Sequence, residues 1–317
     1  MNIKIFSGSN YKDLGKQISE HLGIEMGSLR IDKFKDGEIL PCFLESIRDL
    51  DIFFVNSTDS SESIMETLLV TDAAKRAGCK SFTLVSPYSG YSRQDKTDHL
   101  RSSIGSKLLA DILEKAGVSR LITVDLHASA IQGFYNIPVI HLNGNKVSSN
   151  YIKSLNLDNL CIVAPDQGAV KRASDFCKAF PESSFAMINK RRLKPNEIHS
   201  MELVGDVTNK NVIIVDDMAD TLGTMVKASD LLLSNGATTV RCVATHGILS
   251  GEALKNLENS QITELVVSDT INSTLDKEVA MSNSIHRIKV ISCSYLLAKS
   301  ISALYQKKSI HEINVIE

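Results

Sequence analysis

"NVIIVDDMADTLGTMVKASDLLLSNG", residues 211–236, decides the fold. It opens on a β-branched run, Asn211 to Val215, without polar alternation, which reads as a strand buried on both faces. A helix begins near Thr224, and Gly236 supplies its stop signal. The loop between strand and helix, Asp216 to Thr224, holds three aspartates, Asp216, Asp217 and Asp220, with Thr221, Leu222, Gly223 and Thr224. Main-chain N–H groups at such a loop and helix N-terminus make an anion site, and glycine lets the backbone approach closely. Carboxylates would repel that anion, but they accept hydrogen bonds and cannot donate them. They therefore suit a diol. A ribose 5-phosphate meets both demands, with its phosphate on the N–H groups and its hydroxyls on Asp216 and Asp217. The duller reading is that the aspartates cap the helix.

Working outward, the same strand-then-helix unit recurs. "IKIFSG" precedes "DLGKQISEHLG", "DIFFVNS" precedes "SIMETLLVTDAAKRAG", and "SFTLVSP" precedes "SSIGSKLLADILEKAG". Further on, "CIVAPD" leads to "AVKRASDFCKAF", and "SFAMINK" leads into a Lys/Arg turn. This alternation implies an α/β fold of mainly parallel sheets flanked by helices. The chain has 317 residues, enough for two domains with their own cores. The polar stretch "HLNGNKVSSNYIKSLNLDN" marks the seam, which divides the chain into 1–145 and 146–317, with the last helix packing back on the first domain. Ligands of open parallel sheets bind at the carboxyl ends of strands. Asp125, His127, Asp166, Lys190 to Arg192 and Asp216 to Thr224 all fall there.

Composition removes several alternatives. A formal net charge of -2 argues against a nucleic-acid or anionic-membrane partner. There is no Trp, and aromatics are 5%, which leaves few stacking platforms for single strands. No apolar run approaches the roughly 18 residues of a membrane span. The start "MNIKIFSGSN" is too short and polar for a signal peptide. The six cysteines show no CxxC spacing and read as small apolar residues in a reducing cytosol, so a cytoplasmic location is expected. No GxGxxG follows the first strand and no GxxxxGK[ST] occurs, so neither a Rossmann dehydrogenase nor a P-loop is supported.

The 212–224 stretch resembles the phosphoribosyl diphosphate loop shared by type I phosphoribosyltransferases and ribose-phosphate diphosphokinases. "FKDGE" (34–38), "YSRQDK" (91–96), "VDLHASAIQGFY" (124–135), "APDQGAVKRA" (164–173), "INKRR" (188–192) and "ATHGILSG" (244–251) resemble the second family. They stand in that family's order over nearly the whole chain. The resemblance implies two tandem phosphoribosyltransferase-like domains. It also implies transfer of the diphosphoryl group of Mg-ATP to the 1-hydroxyl of ribose 5-phosphate, with AMP as the second product. By the same resemblance, Lys190 is the catalytic lysine and Arg192 its partner. Two positions apart on an extended segment, they share a face. His127 and Asp166 match the Mg²⁺ positions. Phe34, Asp36, Gly37, Glu38, Arg93 and Gln94 match the ATP site. Asp216, Asp217, Asp220, Thr221, Leu222, Gly223 and Thr224 match the ribose 5-phosphate site. The FxDGE loop implies a homo-oligomer, a hexamer built of dimers, with the ATP site shared between subunits. Singly, each motif has a plainer reading: a surface Asp-Gly turn, a solvated basic turn, a structural His, a capping Asp.

Several residues depart from the family pattern. "R-x-P-I-S/T-A-K" appears as "RSSIGSK" (101–107), Asn189 replaces an Asp, Ser89 a Phe, and Ala169 the second Gly of "PDxGG". The last puts a methyl group beside the loop expected to bind diphosphate. "STDSSES" (57–63) stands for a longer family segment. A phosphoribosyltransferase explains 212–224 alone. A catalytically silent regulatory homologue predicts damage at Lys190, Arg192, His127 or the aspartate loop, and these residues are intact.

Overall fold

The computed structural model describes residues 2–97, 99–194, 197–271, 286–310 and 313, with the backbone alone for 191–194 and 197–200. Two compact units emerge. One comprises Met1–Asn143 with Cys293–Asn314, the other Gly144–Ser292. The final helix thus counts with the first unit.

In the first unit, β1 (Ile3–Ser7), β4 (Asp51–Val55), β5 (Ser81–Val85), β6 (Arg120–Val124) and β7 (Val139–Leu142) form a parallel sheet in that spatial order. Between β1 and β4 the chain inserts a separate antiparallel ribbon, β2 (Leu29–Lys33) and β3 (Ile39–Phe43). Helices α1 (Lys12–Leu22), α2 (Ser61–Arg76) and α3 (Gly105–Ala116) follow β1, β4 and β5. The strands read as continuous apolar runs because both faces are covered. Phe6, Ile52, Phe54, Phe82, Leu84 and Leu121 pack with Val70 of α2 and Leu109 and Leu113 of α3. Each such side chain contributes about 1.5–3 kcal/mol on burial. The last helix, α8 (Ser294–Tyr305), lies on α1. There His21 Nε2 is 3.2 Å from Ser294 Oγ and the His21 ring meets Tyr295 edge-on.

The second unit has seven strands in the order β10 (Glu197–Val204), β9 (Ser184–Lys194), β8 (Leu160–Ala164), β11 (Asn211–Ala219), β12 (Thr239–Gly247), β13 (Glu264–Ser268) and β14 (Ile288–Ile291). All neighbours are parallel except β10, which pairs antiparallel with β9 at the edge. Helices α4 (Asn145–Ser154), α5 (Val170–Cys177), α6 (Gly223–Ser234) and α7 (Ala253–Glu258) complete the unit. From β8 the chain first builds outward to β9 and β10, then returns to place β11 on the other side of β8. This reversal makes the β8–β11 junction a switch point, where loops leave in opposite directions and open a crevice. The sheet of the first unit runs in one direction without such a reversal.

Two boundaries differ from the sequence reading. β11 does not end at Val215. It runs on to Ala219, with Asp216 opposite Ala244 and Met218 opposite His246 on β12. Partner strand β12 is equally long and supplies hydrogen-bond partners past the apolar run, so pairing continues through the acidic residues. The Lys/Arg segment is likewise strand rather than turn, because the return strand β10 pairs with it.

Candidate active site

Three strands converge on the crevice of the second unit. Asp166 follows β8, Lys190 lies on β9, and Asp216 and Asp217 lie near the end of β11. Asp166 Oδ1 accepts a hydrogen bond from the Ala169 N–H at 3.2 Å. Its Oδ2 accepts from Lys190 Nζ, also at 3.2 Å. One oxygen of Asp166 therefore braces the turn that leads into α5, while the other is held by an ammonium. The Lys190 side chain is 5% exposed and that of Asp166 36%, so the cation stands at the wall of the crevice and its partner at the mouth. Arg192 is two positions along the same strand; its side chain lies outside the described residues.

Asp217 is buried, and Asp216 is half-buried beside it, its Oδ1 accepting from the Asp217 N–H at 2.9 Å. Burial pushes the Asp216 carboxyl up to about 8, with further repulsion from the Asp217 and Asp166 carboxylates. Three acids thus crowd one opening. Such a site is relieved by a cation or by hydroxyl donors.

The loop proper is short: Asp220, Thr221 and Leu222. Leu222 adopts the left-handed conformation, with φ 61°, which a bulky residue avoids unless its surroundings demand it. Here its side chain is buried against Met225 and Leu249, and that burial offsets the strain. With Leu222 turned in, Thr221 stands exposed. Helix α6 starts from Leu222 as its N-cap residue, and that side chain makes no capping bond. Its first-turn N–H groups have no partner within the helix. A Cβ added at Gly223 would meet only Thr221 Oγ1, at 4.0 Å, so packing does not require a glycine there. Asp220 Oδ1 accepts from Ser250 Oγ, and Asn256 Nδ2 donates to the Thr221 carbonyl at 2.9 Å. These two supports went unread in the sequence. Ser250 stood within the quoted "ATHGILSG" motif, but nothing local to it indicates that it reaches Asp220.

In the first unit, the FKDGE turn closes the β2–β3 ribbon. The Phe34 N–H donates to the Glu38 carbonyl at 2.8 Å, and Gly37 N–H to the Phe34 carbonyl at 3.0 Å. The Glu38 N–H reaches Asp36 Oδ1 at 3.2 Å, and Gly37 has φ 96°, which glycine supplies without strain. The surface-turn reading is thus correct as far as it goes, and Phe34 is left 54% exposed at the tip. Arg93 and Gln94 lie in the segment after β5. His127 follows β6, the next strand, so the two segments leave the same edge side by side. His127 is exposed, and the preceding turn is held by Leu126, whose N–H donates to His141 Nε2 at 2.9 Å. His141, on β7, is a second support that the sequence did not disclose.

The chain matches known families along most of its length. Residues 3–117 match the N-terminal domain of ribose phosphate pyrophosphokinase, and residues 172–314 match the phosphoribosyl synthetase-associated domain. Over 311 residues it is 42% identical to the ribose-phosphate pyrophosphokinase of Porphyromonas gingivalis, covering 98% of this chain and 96% of that one. The chain belongs to the ribose-phosphate pyrophosphokinase family. Ribose-phosphate pyrophosphokinase A of Dictyostelium discoideum is 40% identical over 314 residues, 98% of this chain and 97% of that one. The crystal structure of phosphoribosylpyrophosphate synthetase from Mycobacterium smegmatis superposes with a TM-score of 0.88 at 34% identity, over 97% of this chain and 100% of that one.

The departures from the family pattern have visible consequences. Ala169 is buried beside Ala173, Phe176 and Ile152, with helical φ and ψ, so its methyl group packs into the core under α5. Asn189 Oδ1 accepts from Gln167 Nε2 at 3.3 Å, a neutral tie between the Asp166 loop and β9. Ser103 and Ser106 both bond to Gln94.

Proposed function

We propose that the protein transfers the β,γ-diphosphoryl group of ATP to the anomeric hydroxyl of ribose 5-phosphate. The 1-oxygen of the sugar forms a bond to the β-phosphorus, the bond from that phosphorus to the α,β-bridging oxygen breaks, and AMP leaves. The hydroxyl proton passes to solvent. The observation that carries this reading is the Asp166–Lys190 contact at a switch point lined by Asp216 and Asp217, in a chain of this family.

Negative charge gathers on the transferred group, and catalysis is mostly positioning and charge neutralisation. Lys190 supplies a cation already oriented by Asp166, so little reorganisation accompanies the step. Arg192 is assigned beside it. Asp216 and Asp217 accept from the 2- and 3-hydroxyls of the sugar. The first-turn N–H groups of α6, with Thr221 and Thr224, take the 5-phosphate. Phe34, Asp36, Glu38, Arg93 and Gln94 take the nucleotide, the FKDGE turn being offered to a neighbouring subunit in a homo-oligomer.

Magnesium fits this donor set as a companion of the nucleotide. Among the described residues no cluster of three or more His, Cys, Asp or Glu could hold a metal alone. Mg²⁺ needs only one or two protein ligands when phosphates supply the rest, and the half-exposed Asp166, with His127, is assigned that part. When bound, it neutralises phosphate charge.

Incubation with Mg²⁺, ATP and ribose 5-phosphate, with AMP resolved from ADP, tests the reading. AMP rising in step with phosphoribosyl diphosphate is expected. ADP would mean transfer of a single phosphoryl group and a misread site. No turnover would favour a silent homologue.

A further inference from the structure

Asp220 belongs to the loop assigned to the 5-phosphate, yet a carboxylate repels a phosphate, and the sugar hydroxyls are assigned to Asp216 and Asp217. A second connection, the one between β12 and α7, accounts for its place.

Three consecutive residues are bonded to that connection or to α7 beyond it. Ala219, the last residue of β11, gives its carbonyl to two N–H groups, that of Ile248 at 2.9 Å and that of Leu249 at 3.0 Å. Asp220 Oδ1 accepts from Ser250 Oγ. The Thr221 carbonyl accepts from Asn256 Nδ2, on α7, at 2.9 Å. The fourth residue, Leu222, is buried in the same core cluster as Leu249. Both leucines are left-handed, with φ of 61° and 49°. A bulky side chain holds that conformation only where its surroundings fix it, so packing sets both turns.

Fixing the backbone of one loop residue costs about 1–2 kcal/mol of conformational entropy. A phosphate that had to order this loop would lose that much affinity, whereas bonds already made on folding remove the cost from the binding step.

We propose that Ser250 and Asn256 are positioning residues for ribose 5-phosphate. They act through Asp220 and Thr221, holding the phosphate loop in its binding shape before the sugar arrives. Asp220 serves as the tether of the loop, its Oδ1 committed to the Ser250 hydroxyl. This inference rests on the assignment of the 5-phosphate to that loop.

The test is calorimetric titration of the full chain with ribose 5-phosphate and, separately, with Mg-ATP. Ser250→Ala removes one hydroxyl, and Asn256→Asp keeps the shape while replacing the donor with an oxygen. Both positions are half-buried, and each variant should melt within a few degrees of wild type. Each should weaken ribose 5-phosphate about three- to tenfold, the scale of one hydrogen bond, and leave Mg-ATP within about twofold. Wild-type affinity for the sugar in both variants would overturn the proposal. A loss confined to one variant would strike the other residue from it. Equal losses of both ligands with a lowered melting temperature would mark a general structural role and also overturn it. A wild-type chain that binds Mg-ATP but not ribose 5-phosphate would overturn the tether together with the assignment of the loop.

Discussion

Lys190 Nζ donates to Asp166 Oδ2 at 3.2 Å, joining strand β9 to the loop after β8 across one wall of the crevice. The ammonium is buried and its carboxylate partner is not. The pair is therefore partly solvated, and its value lies in aiming a charge more than in holding the fold.

Lys190→Ala should lower turnover by about 10²–10⁴-fold, because its charge acts mainly on the transition state. Ribose 5-phosphate binding should survive within about twofold, since the assigned contacts to the sugar lie on β11 and α6. Steady-state kinetics with a sugar titration would check both, and near-normal turnover would remove Lys190 from the mechanism.

Asp216→Asn should raise the KM for ribose 5-phosphate about tenfold and that for ATP far less, because an amide NH₂, which only donates, replaces one of the two oxygens available to the diol. An unchanged KM for the sugar would reject the diol assignment.

The same substitution carries a pH signature. The folded Asp216 carboxyl stands at about 8 against an ordinary 3.8. Between those values the folded chain keeps a proton that the unfolded chain has released, so stability falls as pH rises and the penalty is complete above the folded value. Ligand-free Asp216→Asn should melt a few degrees above wild type at about pH 9 and level with it near about pH 4. Thermal scans across that range decide it; parallel curves would show that the charge is already screened.

Gly90→Ala should destabilise the first unit. An added Cβ would sit 1.9 Å from the Thr58 carbonyl oxygen, and the Gly90 N–H already bonds Thr58 Oγ1 at 2.8 Å. Backbone must move, at a cost of about 1–3 kcal/mol, or roughly 3–10 °C in melting temperature. Calorimetry should resolve this as a shift in one transition.

Arg287→Ala should destabilise the second unit by about 2–3 kcal/mol. The guanidinium donates to the carbonyls of Leu257 at 2.8 Å and Ser260 at 3.2 Å, and to that of Ile262, tying down the end of α7. Urea denaturation measures the loss. Activity at low temperature should be unaffected.

The sequence by itself determined the α/β class, the strand-then-helix order and the aspartate loop. Those depend on local features: β-branched runs, helical spacing, and Gly at helix ends such as Gly117 and Gly236, where φ is positive. Motif order was equally legible, because each of FKDGE, PDQG, NKRR and the 212–224 stretch is one contiguous run of residues. The tertiary structure decided what pairing and return of the chain decide. β11 continued through Asp216 and Asp217 because β12 lay alongside it, and the Lys190 segment became strand because β10 folded back. Asp166 and Lys190 are 24 residues apart in the chain, and only the β9–β8–β11 order sets them at one crevice. Ser250 on Asp220, His141 under the His127 turn and Ser103 on Gln94 are likewise contacts between side chains whose neighbours in sequence say nothing of them. Periodicity records which face of an element is buried; it carries no information about which other element will cover that face, and the supports of the site depend on that choice.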